Sequence, residues 1–362
     1  MAIFFLILLL FSTTIWLYLY SQKLSQKTGY LKEAVEDLKL LQEVSKEITS
    51  KLKISELLPA IMDAFVKAGQ VKKGSIMLFD KKKDVLKIKA ARGVSKRAIE
   101  NIELHAGEGV AGRVVQTGQS VLINDTTTAG LYKDFFEQPE KSRPRETLLC
   151  LPLIFKDEVL GVVTLDSKLS GEQFIRNDER LLSILASQAA VAINNARMYK
   201  MAITDPLTDL YVSRFFLTRL EQEIEKAKRY KGKFSLLFLD IDHFKKFNDR
   251  YGHQMGDKAL IHLANIMEKT TRSADICGRY GGEEFVILLP ETPKNKAAVL
   301  ARRLRKKVSE SGFRVKGKRY KITVSIGVAE YTPGVDKVQK IIKKADKKLY
   351  MAKKQGRNRV VS

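Results

Sequence analysis

The chain has 362 residues, enough for two domains that each bury a core, and carries 65 Lys and Arg against 41 Asp and Glu, a formal charge of +24. Its basic residues are spread along the whole chain and interleaved with Glu, not gathered in one arm or recognition helix, which argues against a nucleic-acid-binding protein. Two cysteines exclude a disulfide framework, and four scattered histidines show no metal-ligand spacing.

Residues 1–21 read as one transmembrane helix: from Ala2 to Tyr20 there is no charge, and Phe, Leu and Ile dominate. About 20 residues at 1.5 Å each give roughly 30 Å, the thickness of a bilayer's hydrocarbon. No Lys or Arg precedes this run, whereas Lys23, Lys27 and Lys32 follow it. The positive-inside bias then places the remainder in the cytoplasm, as a single-pass protein of the inner membrane. A cleaved signal peptide is the alternative, although a basic n-region and an Ala-x-Ala site are both missing. Attraction of juxtamembrane lysines to anionic lipid accounts for part of the positive charge.

Residues 22–39 are expected to form a juxtamembrane coiled-coil helix. The heptad series is Leu31, Ala34, Leu38, Leu41, Ser45, Ile48 and Leu52. A second series, Leu182, Leu185, Ala189, Ala192, Ala196, Tyr199 and Ile203, runs into Asp205. Each fits either a dimer seam or an amphipathic helix packed on its own domain.

Between them, residues 40–198 carry Gly74-Ser-Ile-Met-Leu-Phe79, Gly107-Glu-Gly-Val-Ala-Gly112-Arg113, Val121-Leu-Ile-Asn-Asp125, Leu151-Pro152-Leu153 and Leu160-Gly161-Val-Val-Thr-Leu165. This set resembles a GAF domain, a small-molecule sensor and dimerisation module. Gly107-x-Gly109-x-x-Gly112 with Asp125 downstream imitates a dinucleotide-binding fingerprint. Gly118 closes the following helix too soon for a Rossmann crossover, and no second βαβ unit follows. The loop from Thr126 to Pro144 offers Tyr132, Phe135 and Phe136, which either cap an unidentified small molecule or fill the domain's own core. Cys150 lies in an apparent core strand, which speaks against a covalent bilin.

The remaining residues, 199–362, hold the chemistry. An apolar strand over 234–239 ends in Asp240-Ile241-Asp242, and a carboxylate where such a strand meets a polar loop is a usual metal ligand. Further on, Tyr280-Gly281-Gly282-Glu283-Glu284-Phe285 puts paired carboxylates on a tight turn. Paired glycines let the backbone approach a bulky anion, and paired carboxylates can hold the divalent metal that it needs. A capping Asp and a solvated hairpin tip are the bland readings. Pattern places a helix over 256–271, a hairpin around Gly281-Gly282, a helix over 295–309, a strand over 321–329 and a helix over 337–354.

Together Asp205-x-Leu207-Thr208, Asp240-x-Asp242-x-Phe244-Lys245-x-x-Asn248-Asp249, Gly252-His253-x-x-Gly256-Asp257, Gly281-Gly-Glu-Glu-Phe285, Ser325-Ile-Gly327 and Lys353-x-x-x-Arg357-Asn358 resemble the GGDEF family, the diguanylate cyclases. One departure is Ser213-Arg214, where the family usually has Asn-Arg. The resemblance implies an α+β chain, a GAF domain followed by a palm-like antiparallel sheet covered by helices. It implies condensation of two GTP into cyclic di-GMP by a homodimer. The Asp240 side chain, the Ile241 carbonyl, Glu283 and Glu284 would hold Mg²⁺, with Mn²⁺ as the substitute. Glu283 would take the proton of the attacking 3′-hydroxyl. Lys245, Lys353 and Arg357 would neutralise the triphosphate, with Phe244 also at the substrate, and Asn248 and Asp257 would select guanine. Arg272, Asp275 and Arg303 would form an inhibitory product site. The alternative is a catalytically silent relay that binds GTP or cyclic di-GMP, against which the intact Asp240, Glu283 and Glu284 weigh.

Overall fold

The computed structural model describes residues 16–25, 27–28, 32, 35, 39, 42, 46, 48, 51–124, 147–315, 317–334 and 337–362. Most of the expected transmembrane segment, all of the first heptad series except Ile48 and Leu52, Asp125 and the aromatic loop lie outside them. Residues 16–25 are helical, and among the described residues no helix is long and apolar enough to cross a membrane. The chain divides into two compact units, Met1–Tyr199 and Lys200–Ser362.

The first unit opens with α1 (Ile54–Gly69), whose Leu57, Leu58, Ile61, Met62 and Phe65 recur at helical spacing and are buried. Each such side chain contributes about 1.5–3 kcal/mol by leaving water. The strands β1 (Val71–Asp80), β2 (Val85–Arg92), β3 (Glu103–Leu104), β4 (Val121–Ile123), β5 (Leu148–Phe155) and β6 (Glu158–Lys168) form one antiparallel sheet, in the order β3-β2-β1-β6-β5-β4. Two short helices, α2 (Lys96–Asn101) and α3 (Gly109–Thr117), lie between β2 and β4 in the chain. Gly161 is required where β6 passes β1, because a Cβ there would run into the Met77 carbonyl.

The long helix α4 (Arg176–Ile203) decides between the two readings of the second heptad series. Leu182, Leu185, Ala189, Ala192 and Ala196 are buried in the same core as α1 and the sheet. The second heptad series is therefore the amphipathic face of a helix packed on its own domain. It is not an open seam.

In the second unit, six strands form the order β14-β13-β8-β10-β9-β7. These are β7 (Tyr211–Val212), β8 (Phe234–Ile241), β9 (Ile276–Arg279), β10 (Glu284–Pro290), β13 (Val324–Glu330) and β14 (Val360–Val361), while β11 (Phe313–Val315) and β12 (Lys318–Tyr320) pair apart. The central pairs are antiparallel as expected, whereas β7 with β9 and β13 with β14 are parallel. Every residue of β8 is buried, since helices cover both faces. Leu237, Leu239 and Ile241 face α7 (His253–Thr270) and α8 (Lys294–Glu310). Leu236 and Phe238 face α5 (Ser213–Tyr230) and α9 (Val338–Lys354). The remaining helix is α6 (Phe244–Tyr251), directly after β8. The strand expected over 321–329 begins three residues later, at Val324. Gly327 fits there because a Cβ would meet the Ala345 carbonyl of α9.

Candidate active site

Alternation along β8 puts Asp240 on the face of Leu236 and Phe238, at the end of the strand and under the last turn of α9. Its Cα neighbours across the sheet are Glu284 on β10 and Ser325 on β13. From α9, Lys353 brings its Nζ to 2.7 Å from Asp240 Oδ2, and Asp240 is only 4 % exposed. Burial pushes the Asp240 carboxyl up, the Lys353 ammonium pulls it down, and Asp242 adds repulsion, for a net rise. Glu283 and Glu284 are also raised, first by burial and then by the charge of Asp240. Three carboxylates thus repel one another at one end of the two central strands, with an ammonium partly compensating.

Such a set suits a cation. Among the described residues no three His, Cys, Asp or Glu side chains already close on one point as a metal cluster. Yet Lys353 stands as a cation on the very carboxylate in question, and hard oxygen donors suit a divalent ion. The donor chemistry fits.

The β9–β10 turn is held from below by Arg279. Its Nη2 and Nε donate to the Gly282 carbonyl at 2.8 and 3.2 Å, and its Nη1 donates to both Asp205 oxygens at 3.0 and 3.1 Å. Asp205 also accepts the Thr208 N–H and hydroxyl at 2.9 and 2.7 Å. Neither Gly281 nor Gly282 has a positive φ, so the turn does not need glycine for its backbone conformation. A Cβ on Gly281 would lie 2.8 Å from the Glu284 carboxylate, a side-chain end that can move aside, and beside Gly282 the space is open.

Asn248 on α6 packs against Gly256 in the first turn of α7, whose absent Cβ leaves room for the Asn248 amide, and Asp257 follows Gly256 in the chain. Asn248 Oδ1 is buried without a hydrogen-bond partner, while Asp257 is exposed. Lys245 is exposed on α6; Phe244 is 7 % exposed and packs into the core. Arg357 lies near enough to lower Asp240 by its charge.

Arg272, Asp275 and Arg303 line one open pocket of about 290 Å³ with Thr270 and Lys296. Asp275 accepts the backbone N–H of Arg272 at 2.8 Å, so its carboxylate shapes the turn. Arg303 Nη2 donates to the Thr270 carbonyl at 2.8 Å, and the Thr270 hydroxyl is buried without a partner.

The family described as diguanylate cyclase, GGDEF domain, matches residues 202–359, and the GAF domain matches residues 51–194. Diguanylate cyclase A of Treponema denticola is 33% identical over 356 residues, covering 94% of this chain and 92% of its own length. The chain belongs to the diguanylate cyclase family. Diguanylate cyclase DgcP of Pseudomonas aeruginosa is 42% identical over 159 residues, 44% of this chain and 24% of that protein. Among solved structures, the GGDEF domain of DgcB from Caulobacter crescentus in complex with c-di-GMP is 36% identical, with a TM-score of 0.43, covering 44% of this chain and 92% of that one.

Sequence reasoning about this GGDEF domain passed over Arg279, Arg305 and the bonding of Asp242. For Arg279 a signal existed, since a basic residue two positions before a Gly-Gly turn can reach back to its carbonyls. For the other two the partners are remote in the chain.

Proposed function

We propose that this diguanylate cyclase condenses two GTP into cyclic di-GMP and two pyrophosphates at the Asp240–Glu283–Glu284 site. The observation that carries the reading is the Lys353 ammonium on buried Asp240, among carboxylates that burial and mutual repulsion hold above their usual range. Asp240, the Ile241 carbonyl, Glu283 and Glu284 would hold Mg²⁺, which when bound polarises phosphoryl oxygens and acidifies a hydroxyl. Glu283, raised by burial and by Asp240, is the group suited to accept the 3′-hydroxyl proton. Lys245, Lys353 and Arg357 neutralise the triphosphate. Asn248, packed against Gly256, and the exposed Asp257 that follows Gly256 in the chain select guanine, the Asp257 carboxylate accepting N1–H and N2–H. The Arg272–Asp275–Arg303 pocket takes the product, a reading supported by its guanidinium groups and the orphaned Thr270 hydroxyl.

Two copies must face each other, because each site takes one GTP. A homodimer seam is offered by the outer stripe of α4, where Ile184, Val191 and Met198 repeat every seventh residue and are 43%, 45% and 52% exposed. Anchoring in the inner membrane is supported by Trp16, Leu17, Tyr18, Leu19 and Tyr20, all more than half exposed on a helix that leads to Lys23. Aromatic side chains of this kind favour the membrane interface. The GAF domain then gates the cyclase in response to a small molecule.

The test is incubation of the purified protein with GTP and Mg²⁺ and mass identification of the product. Glu283→Gln should abolish cyclic di-GMP formation with the fold intact, and the loss should appear in kcat more than in KM. Near-normal turnover in that variant would sink the assignment.

A further inference from the structure

Asp242 does more than repel Asp240: its buried carboxylate ties the end of β8 to two other segments, 323–325 and Asn358. Oδ1 accepts the Ser325 hydroxyl at 2.6 Å; Oδ2 accepts the Thr323 hydroxyl at 2.7 Å and the Asn358 backbone N–H at 3.0 Å. The Asp242 N–H in turn donates to the Thr323 carbonyl at 2.9 Å. Asn358 follows Arg357, and both stand in the left-handed region, with φ of 44° and 62°. Two successive non-glycine residues do not hold that conformation by their own preference. External bonds must hold it. Besides Asp242, Arg305 on α8 supplies them, its Nη1 donating to the Asn358 carbonyl and Oδ1, each at 3.1 Å. The turn so fixed begins where α9 ends, at Lys353 and Lys354, and its first N–H groups close back on Met351, Ala352 and Lys353.

We propose that Asp242 and Arg305 are positioning residues that lock the Arg357–Asn358 turn and thereby aim Lys353 and Arg357 at the β- and γ-phosphates of GTP. The inference rests on the proposed role of Lys353 and Arg357. Asp242 suits the task because its two carboxylate oxygens accept from the Thr323 and Ser325 hydroxyls and from the Asn358 N–H, and so tie the turn to the segment 323–325. Neither residue touches the nucleotide.

The experiment measures binding to the full-length protein in Mg²⁺ by calorimetry. The ligands are 3′-deoxy-GTP, which cannot react, and GMP, which lacks the outer phosphates. Asp242→Ala should weaken 3′-deoxy-GTP about tenfold, the usual scale for losing a group that orients a binding residue. GMP affinity should hold, and Asp242→Asn, whose carbonyl still accepts the Asn358 N–H, should recover most of the loss. Arg305→Ala strikes the same turn from the other side and carries the test where Asp242→Ala fails to fold. Lys353→Met is run alongside. If it shows the split between ligands and the Asp242 and Arg305 variants weaken both ligands equally or neither, the positioning role is overturned. If Lys353→Met itself shows no split, the triphosphate role of Lys353 fails and the inference falls with it.

Discussion

Burial alone would raise the Asp205 carboxyl, but the hydrogen bonds from Thr208 and the Arg279 guanidinium outweigh it and hold it below the usual value. A carboxyl lowered by folding stabilises the fold above the unfolded carboxylate range, and that contribution is lost as pH falls through the folded value. Wild type should therefore exceed Asp205→Asn in Tm at neutral pH, with the gap closing as pH falls below about 4. Thermal unfolding across a pH series checks this, and parallel curves would deny the pair a stabilising role. At Asp257 the expectation concerns base choice. Asp257→Ser removes the carboxylate proposed to accept from guanine, so ATP should begin to compete. The readout is product identity from equimolar GTP and ATP, and a wild type that already makes mostly adenine-containing dinucleotide would refute it. Asp240 and the Gly281-Gly282 turn are legible in the sequence because each marks an abrupt change from apolar strand to polar, flexible backbone. The bonding of Asp242 is not, because Thr323 and Asn358 stand 81 and 116 residues away.

At the scale of the element, α4 shows why a heptad pattern alone is ambiguous. Its 28 residues carry two stripes. The stripe richer in Leu and Ala serves the first unit's own core, where α1 and the sheet bury it. The poorer stripe, Ile184, Gln188, Val191, Asn195 and Met198, keeps the spacing of four and three and stays at the surface or half-buried at most. Apolar periodicity ranks stripes by hydrophobicity, whereas the fold assigns them by which neighbour arrives first. Polar Gln188 and Asn195 within the outer stripe are what a seam uses to fix register at some cost in stability. Val191→Asp should place two like charges in the proposed seam and give a monomer by light scattering. Its cyclic di-GMP formation should fall sharply while 3′-deoxy-GTP still binds. A Val191→Asp protein that remains dimeric and active would remove α4 from the interface. In the second unit, by contrast, strand and helix positions agree with the pattern to within a few residues. The long buried runs of β8 and β10 leave little choice there; the pattern reading does not place α5 or α6, although Phe216, Leu220, Ile224 and Ala227 on α5 recur at helical spacing, and the short strands β7, β11, β12 and β14 are too brief to show a period.

At the scale of the whole molecule, the proposed product pocket and the proposed catalytic site belong to one GGDEF domain but use different elements. Arg272 and Asp275 sit between α7 and β9, and Arg303 sits on α8, whereas Asp240, Glu283 and Lys353 gather at the ends of β8, the β9–β10 turn and α9. Occupying the pocket does not block the carboxylates directly. If product binds there as proposed, inhibition acts through the arrangement of the two copies of the proposed dimer, by product binding more tightly when their sites are held apart than when they face. Coupling of this kind is typically about 1–3 kcal/mol, a shift of roughly 5- to 150-fold in affinity. Arg272 forms no ion pair with Asp275, whose carboxylate is spent on the turn's own N–H, so the guanidinium is available to an anionic ligand. Arg272→Ala should therefore relieve inhibition by added cyclic di-GMP with little change in initial rate and little loss of stability, since the turn keeps its Asp275 bond to the backbone. Initial-rate titrations with product on wild type and variant test it. Superimposable inhibition curves would leave Arg272 a solvated surface residue, and an equal fall in rate with and without product would place its effect on the fold.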